Sequence, residues 1–68
     1  MNRTYKVIEL VGISDKSYEE AIQNVINKAA ESLKALSWFE ITQMRGAIND
    51  GKVTEYQVAL KVGFKLVN

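Results

Sequence analysis

Asn49-Asp50-Gly51 decides the fold, because it separates two stretches of β-forming residues, 38–48 and 52–66. Glycine tolerates the positive φ of a tight turn, so this tripeptide predicts a β-hairpin between two long strands. In the second of these strands, successive residues alternate cleanly between two faces. One face carries Tyr56, Val58, Leu60, Val62, Phe64 and Leu66, and the other carries Glu55, Gln57, Ala59, Lys61, Gly63 and Lys65.

The residues before the hairpin predict a strand followed by a helix. Residues 4–11 are rich in β-formers and stop at Gly12, so we expect the first strand there. Ser17 followed by Glu20 fits a capping box at a helix start, with Ser14 as the competing cap. Apolar residues at steps of three and four then predict a helix over residues 17–36. The apolar stripe consists of Ile22, Val25, Ile26, Ala29, Ala30, Leu33 and Leu36.

The order of these elements is β-α-β-β, and it limits how the strands can pair. The first and second strands run in the same direction, because a single helix connects them. An all-antiparallel sheet therefore needs the third strand between them, which gives the order 1-3-2. The sequence predicts an α+β fold, with a three-stranded antiparallel sheet wrapped around one helix. Residues 1–68 are expected to form a single domain.

The composition limits both the function and the state of assembly. The chain of 68 residues has no cysteine and no histidine, which excludes disulfides and the commonest metal ligands. A core this small rarely supplies more than roughly 3–5 kcal/mol, so we expect several copies to assemble. A formal net charge of +1 gives no footprint for nucleic acid. No apolar run is long enough for a membrane span, and a cytoplasmic location is the default expectation.

Trp38 and Phe39 are neighbours on the second strand, so their side chains must face opposite sides of the sheet. Phe39 shares its parity with Ile41 and is expected in the core beneath the helix. Trp38 then lies on the other face, which we expect it to share with Gln57. An indole for stacking beside a carboxamide with a donor and an acceptor suits a flat, amide-like ligand between subunits. The alternative is that Trp38 only fills a subunit interface and that Gln57 is only solvated.

Arg45 lies near the end of the second strand, where its fork of donors suits a phosphate. Strict alternation gives Arg45 the parity of Phe39 and gives Met44 the parity of Trp38. A bulge near Gly46 is therefore needed to turn Arg45 to the Trp38 side. The alternative is a surface arginine in an ion pair. No catalytic triad, cysteine nucleophile, phosphate-binding glycine motif or metal cluster appears, so we expect a binding protein and not an enzyme.

Over essentially its whole length, the sequence resembles the dodecin family. The resemblance lies in residues 5–12, 21–22, 32–41, 45–48 and 56–66, which include Trp38-Phe39-Glu40, Arg45-Gly46 and Lys61-Val62-Gly63-Phe64. These blocks, in this order and in a chain of this length, are specific for dodecins.

The resemblance implies a hollow homododecamer that binds a flavin (FMN, or riboflavin or another flavin) and stores it, protected from light, without turnover; the phosphate-binding chemistry of Arg45 favours FMN among these. It implies that the flavin ring stacks on Trp38, that Gln57 hydrogen-bonds its polar edge, and that Arg45 helps to hold it. It also implies a separate coenzyme A site on the surface. Candidates for that site are Lys6, Lys28, Ser32, Lys34 and Lys65.

Two points keep other functions open. Lys34 and Lys65 stand where dodecins often have arginine, and a lysine replaces a bidentate phosphate contact by a point charge, which weakens the case for coenzyme A. A structural oligomer, or a protein for another small ligand with no physiological flavin, fits the same residues. An enzyme that uses the bound flavin would need a proton donor and a substrate cleft beside the ring, and the sequence supplies neither.

Overall fold

The computed structural model describes residues 2–67 and contains the four expected elements. They are β1 (Tyr5–Ser14), α1 (Tyr18–Ala30), β2 (Leu36–Asn49) and β3 (Lys52–Lys65). The strands form one antiparallel sheet in the order β1-β3-β2, and α1 packs on one side of it. The predicted α+β architecture and strand order are confirmed. We call the side of the sheet that carries α1 the helix face and the opposite side the outer face.

The predicted hairpin joins β2 to β3. Asn49 pairs with Lys52, so Asp50 and Gly51 form a two-residue turn. The φ angles of Asp50 and Gly51 are 53° and 74°, and a type I′ turn requires positive φ at both positions. The turn fixes the register of the two longest strands, on which the candidate site residues Trp38, Arg45 and Gln57 lie.

Two serines fix the start of α1. Ser17 is the N-cap, as predicted, and its hydroxyl accepts a hydrogen bond from the backbone N–H of Glu20 at 3.0 Å. The reciprocal half of the predicted capping box is absent, because the Glu20 carboxylate accepts a hydrogen bond from the Ser14 hydroxyl instead. Ser14 also accepts from the backbone N–H groups of Lys16 and Ser17, at 2.9 and 3.3 Å. The strand end and the helix start are therefore held by one hydrogen-bonded cluster.

The predicted end of the helix is wrong. Residues 17–36 were expected to be helical, whereas α1 ends at Ala30 and Leu36 already belongs to β2. Between them Ala35 adopts a positive φ of 61°, which a helix does not allow. The carbonyl of Ala35 accepts a hydrogen bond from the backbone N–H of Lys65 at 3.0 Å. Ala35 and Leu36, which the apolar spacing assigned to the helix, thus lie beside the end of β3 instead.

The core lies between α1 and the middle of β3. It consists of Ala21, Val25 and the neighbouring Ala29 on the helix and of Val58, Leu60 and Val62 on the strand. At Gly12 the backbone of β1 meets the helix, because a Cβ at this position would lie 2.3 Å from the carbonyl oxygen of Ala21. A side chain there would force β1 and α1 apart, so the close packing depends on this glycine.

β2 extends beyond the part of the sheet that α1 covers. A helix is about 10 Å wide and neighbouring strands are about 4.8 Å apart, so one helix covers roughly two strands. The main contacts of α1 are with β1 and β3. Phe39 lies on the helix face, as predicted, but it is 47% exposed and does not join the buried core. A single copy of the chain therefore leaves both faces of β2 open to solvent.

Candidate functional site

Trp38 lies on the outer face, where its indole covers a glycine of the neighbouring strand. It pairs with Gly63, whereas the next residue, Phe39, pairs with the buried Val62 of the helix face. A Cβ at Gly63 would lie 2.4 Å from the Cε2 and Cζ2 atoms of the indole. Trp38 nevertheless remains 44% exposed. The ring is thus supported from below by backbone and is open to a ligand or to another copy of the chain.

Two residues near the N-terminus extend this aromatic surface. The ring centroids of Tyr5 and Trp38 are 4.8 Å apart, with an angle of 56° between the ring planes. The guanidinium carbon of Arg3 lies 5.9 Å from the centroid of the Tyr5 ring. The sequence analysis did not assign Tyr5 to the site. The strand pairing is the signal that places Tyr5 near Trp38. Tyr5 pairs with Lys65 of β3, and Trp38 pairs with Gly63, two residues away on the same strand.

A second group of side chains on the outer face is polar and hydrogen-bonded. Arg45 pairs directly with Gln57 across β2 and β3. Its Nε donates to the carboxamide oxygen of Gln57 at 2.8 Å, and its Nη1 donates to the side-chain oxygen of Gln43 at 2.7 Å. The Nε2 of Gln57 donates in turn to the carboxylate of Glu55 at 3.1 Å. Two of the predicted site residues, Arg45 and Gln57, are thus in direct contact.

Arg45 reaches the outer face because of a bulge at Thr42, and not near Gly46 as predicted. The register shifts between Ile41 and Gln43, which reverses the alternation of every later residue in β2. The hydroxyl of Thr42 donates to the carbonyl oxygen of Ala59 at 3.1 Å and so holds the bulge against β3. The bulge brings Arg45 to the side of Trp38.

The same bulge overturns the prediction for Met44. This side chain was expected on the Trp38 side, but Met44 pairs with the buried Val58 and therefore lies on the helix face. Met44 is 53% exposed there, because α1 packs mainly on β1 and β3 and does not cover this part of β2. It adds to the apolar surface that a single chain leaves uncovered.

Trp38 and Gln57 share the outer face, as predicted, but they are not neighbours within one chain. Their positions on the sheet differ by six residues of β3, because Trp38 pairs with Gly63. At about 3.3 Å per residue, the separation along the strands is roughly 20 Å. One fused-ring ligand cannot stack on this indole and reach this carboxamide at the same time. A pocket that uses both residues must take them from different copies of the chain.

The candidate coenzyme A residues do not form one cluster. Lys28 and Ser32 line a cleft of about 220 Å³ between β1 and the end of α1. Lys28 forms an exposed ion pair with Glu31 at 3.5 Å. By the register of β1 and β3, Lys6 lies on the helix face and Lys65 lies on the outer face, while Lys34 is in the connection after α1. Of the five candidates, the structure brings together only Lys28 and Ser32.

Within residues 2–67, no group of three side chains from histidine, cysteine, aspartate and glutamate is placed to hold a metal ion. The helix of this part of the chain, α1, is too short to cross a membrane.

Comparison with known proteins identifies close relatives. The sequence model of the dodecin family matches residues 4–67. A dodecin from Thermus thermophilus is 47% identical over 66 residues, which is 97% of this chain and 96% of that protein. The structure of the dodecin from Streptomyces coelicolor has a TM-score of 0.94 at 46% identity and covers 98% of this chain and 96% of its own. A calcium dodecin from Mycobacterium tuberculosis, described as having a novel calcium-binding site, has a TM-score of 0.82 at 29% identity, with 94% and 91% of the two chains covered.

Proposed function

The chain belongs to the dodecin family, and on that premise we propose that it binds a flavin and stores it without catalysing a reaction. The observation that carries this proposal is the position of Trp38. Its indole lies over Gly63 on the outer face, 44% exposed, with Tyr5 beside it. An exposed, backbone-supported indole is a platform on which a flat aromatic ring can stack.

The binding pocket is assembled from several copies of the chain, in a hollow homododecamer. The separation of roughly 20 Å between Trp38 and Gln57 supports this, because one ligand can contact both only across a subunit boundary. The open apolar surface of β2 supports it as well, since such a surface is buried in a stable protein. Sedimentation at micromolar concentration should give a single species near twelve times 7.7 kDa. A folded monomer under these conditions would contradict the assembly.

Stacking on Trp38 also protects the flavin from light. Indole is electron-rich, so it can give an electron to the excited flavin and take it back, which returns both partners to their ground states. No net oxidation or reduction occurs, and the excitation is lost as heat. Enclosure between subunits additionally keeps oxygen from the ring.

The direct test is a titration of the apoprotein with FMN, followed by flavin fluorescence. The unaltered protein should quench the fluorescence strongly. Trp38→Leu should abolish most of the quenching, whereas Tyr56→Leu, which removes an aromatic ring from the helix face, should leave it in place. Strong quenching that survives Trp38→Leu would contradict stacking on this residue. An absence of any FMN binding by the unaltered protein would favour the alternative of a structural oligomer.

The preferred flavin is FMN, because Arg45 lies on the outer face and can contact a phosphate. Its guanidinium has five N–H donors, and the contacts with Gln57 and Gln43 occupy two of them. FMN should therefore bind more tightly than riboflavin, which has no phosphate. Arg45→Gln should remove this difference, whereas Lys52→Gln, which deletes a positive charge at the turn, should preserve it. Equal affinities for FMN and riboflavin in the unaltered protein would rule out the phosphate contact.

A second ligand, coenzyme A, is supported by the cleft that Lys28 and Ser32 line. Its apolar walls and a single cation at the rim fit a phosphorylated ligand with an apolar part. Isothermal titration should detect binding of coenzyme A, and Lys28→Gln should weaken it severalfold. Lys16→Gln, which removes a charge from the loop before α1, is the matched control. If both variants bind coenzyme A as the unaltered protein does, the ligand does not occupy this cleft.

A further inference from the structure

The carboxamide of Gln57 is held at both of its ends in the structure. Its oxygen accepts from the Nε of Arg45 at 2.8 Å, and its nitrogen donates to the carboxylate of Glu55 at 3.1 Å. Arg45 is itself tied to Gln43 at 2.7 Å, so it cannot follow Gln57 freely. Both contacts are favourable, because the carboxamide oxygen faces a guanidinium and the NH2 group faces a carboxylate. If the carboxamide were flipped, the NH2 group would face the guanidinium and the oxygen would face the carboxylate, and both contacts would be repulsive.

These two contacts leave part of the hydrogen-bonding capacity of the Gln57 carboxamide free for a ligand. A carboxamide has two lone pairs on its oxygen and two N–H groups on its nitrogen. Arg45 uses one lone pair and Glu55 uses one N–H group. One acceptor and one donor remain, in an order that cannot be reversed while both neighbours hold the side chain. This pair complements a ring edge that has an N–H beside a C=O, which is the imide edge of a flavin.

We propose that Glu55 is a positioning residue, which acts through Gln57 and selects ligands with an imide or lactam edge of one polarity. The inference rests on the proposed flavin function and adds a specificity determinant to it. Glu55 lies two residues before Gln57 on β3, so both side chains project from the same face of the strand. Without Glu55, the NH2 group loses its partner and the carboxamide can turn about its last bond. A ligand must then order the carboxamide when it binds, which costs free energy. In the unaltered protein the carboxamide is already ordered before the ligand binds.

A double-mutant cycle with riboflavin tests whether Glu55 acts through Gln57. Riboflavin has no phosphate, so the phosphate contact of Arg45 does not enter the measurement. Glu55→Thr keeps a strand-forming residue but is too short to reach Gln57. We expect it to raise the Kd of riboflavin about fivefold, the equivalent of one hydrogen bond of about 1 kcal/mol. In a Gln57→Thr background the same substitution should change the Kd by less than about twofold, because the residue through which it acts is gone.

Two further variants separate this role from a general effect of charge or folding. Glu55→Gln retains an acceptor oxygen at the same reach and should restore most of the affinity. Glu31→Gln deletes a carboxylate at the end of α1, away from the outer face, and should have no effect. Equal losses from Glu55→Thr in the two backgrounds would overturn the proposal, since the residue would then act on stability or assembly. An unchanged Kd in the native background would overturn it too.

The unaltered protein provides a test that does not depend on the folding of any variant. N3-methylriboflavin has the ring and side chain of riboflavin but lacks the N–H of the imide edge. It should bind at least about tenfold more weakly, because the retained lone pair of Gln57 loses its donor and meets a methyl group. Equal affinity for the two ligands would overturn the proposed reading of the imide edge, while leaving the stacking on Trp38 intact. If riboflavin and FMN both fail to bind, the proposed function itself is wrong.

Discussion

The two ends of the outer face are built in different ways. The Trp38 end, formed by Arg3, Tyr5, Trp38 and Gly63, is aromatic and is held by van der Waals contact. The Gln57 end, formed by Gln43, Arg45, Glu55 and Gln57, is polar and is held by hydrogen bonds of 2.7–3.1 Å. The bulge at Thr42 lies between them.

Under the proposed function, this difference separates two parts of ligand recognition. Stacking on the Trp38 end reads the presence of a flat ring but not the pattern of polar atoms around it. Hydrogen bonds at the Gln57 end read that pattern but hold little apolar surface. Since the two ends are roughly 20 Å apart, a single chain cannot stack on a ligand at one end and hydrogen-bond the same ligand at the other. In the proposed assembly, the Trp38 end of one copy would meet the Gln57 end of another, and binding would then depend on oligomerisation.

Gly63→Val should have the largest effect, and it should act on the Trp38 end. The new Cβ would lie 2.4 Å from the indole, which must leave its position. We expect the stability to fall by about 1–3 kcal/mol, as for other overpacked sites, and flavin quenching to be lost. Denaturant unfolding and the FMN titration measure these two effects.

Combining Gly63→Val with Trp38→Leu is the control for this substitution. The smaller leucine relieves the clash, so stability should recover while quenching remains absent. If Gly63→Val leaves both stability and quenching unchanged, the indole does not rest on this glycine.

Thr42→Val should have an intermediate effect, confined to the Gln57 end. The substitution keeps the shape of the side chain but removes the hydrogen bond to the Ala59 carbonyl, at a cost of about 0.5–1.5 kcal/mol. A looser bulge should weaken the binding of both FMN and riboflavin, whereas the flavin that does bind should still be quenched. Thr54→Val is the comparison at a second register shift, where the Thr54 hydroxyl donates to the Ala47 carbonyl over a longer distance of 3.4 Å, and it should have the smaller effect. Equal effects of the two substitutions would show that the bulge does not depend on Thr42.

Tyr5→Leu should have the smallest effect. It removes a partly exposed contact between two aromatic rings, for which we expect a loss of about 0.5 kcal/mol in stability. The indole then has more freedom, so the quenching of bound flavin should become weaker and more heterogeneous in time-resolved fluorescence. Tyr18→Leu removes the comparable contact between Tyr18 and Tyr56 on the helix face and should leave the fluorescence decay unchanged. If both substitutions change the fluorescence decay equally, Tyr5 does not contribute specifically to the site.

Alternation along a strand predicted the outer face correctly wherever the strand is regular. β1 and β3 pair without a shift, so Val58, Leu60 and Val62 are buried and Gln57 and Gly63 face outward, as the sequence indicates. The pairing of β2 with β3 has three register shifts, including the bulge at Thr42, and alternation alone cannot locate them, because one extra residue changes no side-chain type. The sequence therefore placed Trp38 correctly, before the bulge, and placed Met44 on the wrong face after it.

The end of α1 was missed for a related reason. Leu33 and Leu36 continue the apolar spacing of the helix, and no proline or glycine interrupts it. Beyond the end of α1, the Ala35 carbonyl accepts a hydrogen bond from the backbone N–H of Lys65, and this contact with a residue distant in sequence holds the following chain at the sheet. Similarly, the sequence predicted that Trp38 and Gln57 share a face, but their separation along it depends on the register of the hairpin.

The most direct test of a shared pocket is to mix two defective chains. Trp38→Leu subunits retain the Gln57 end, and Gln57→Leu subunits retain the Trp38 end. The two are unfolded and refolded together, and FMN is added at a concentration at which neither parent assembly binds it. If the ends of different copies meet in one pocket, mixed assemblies contain some complete pockets, and we predict that FMN binding and quenching return. Mixed assemblies that bind no more FMN than the two parents refolded separately would contradict a pocket shared between copies.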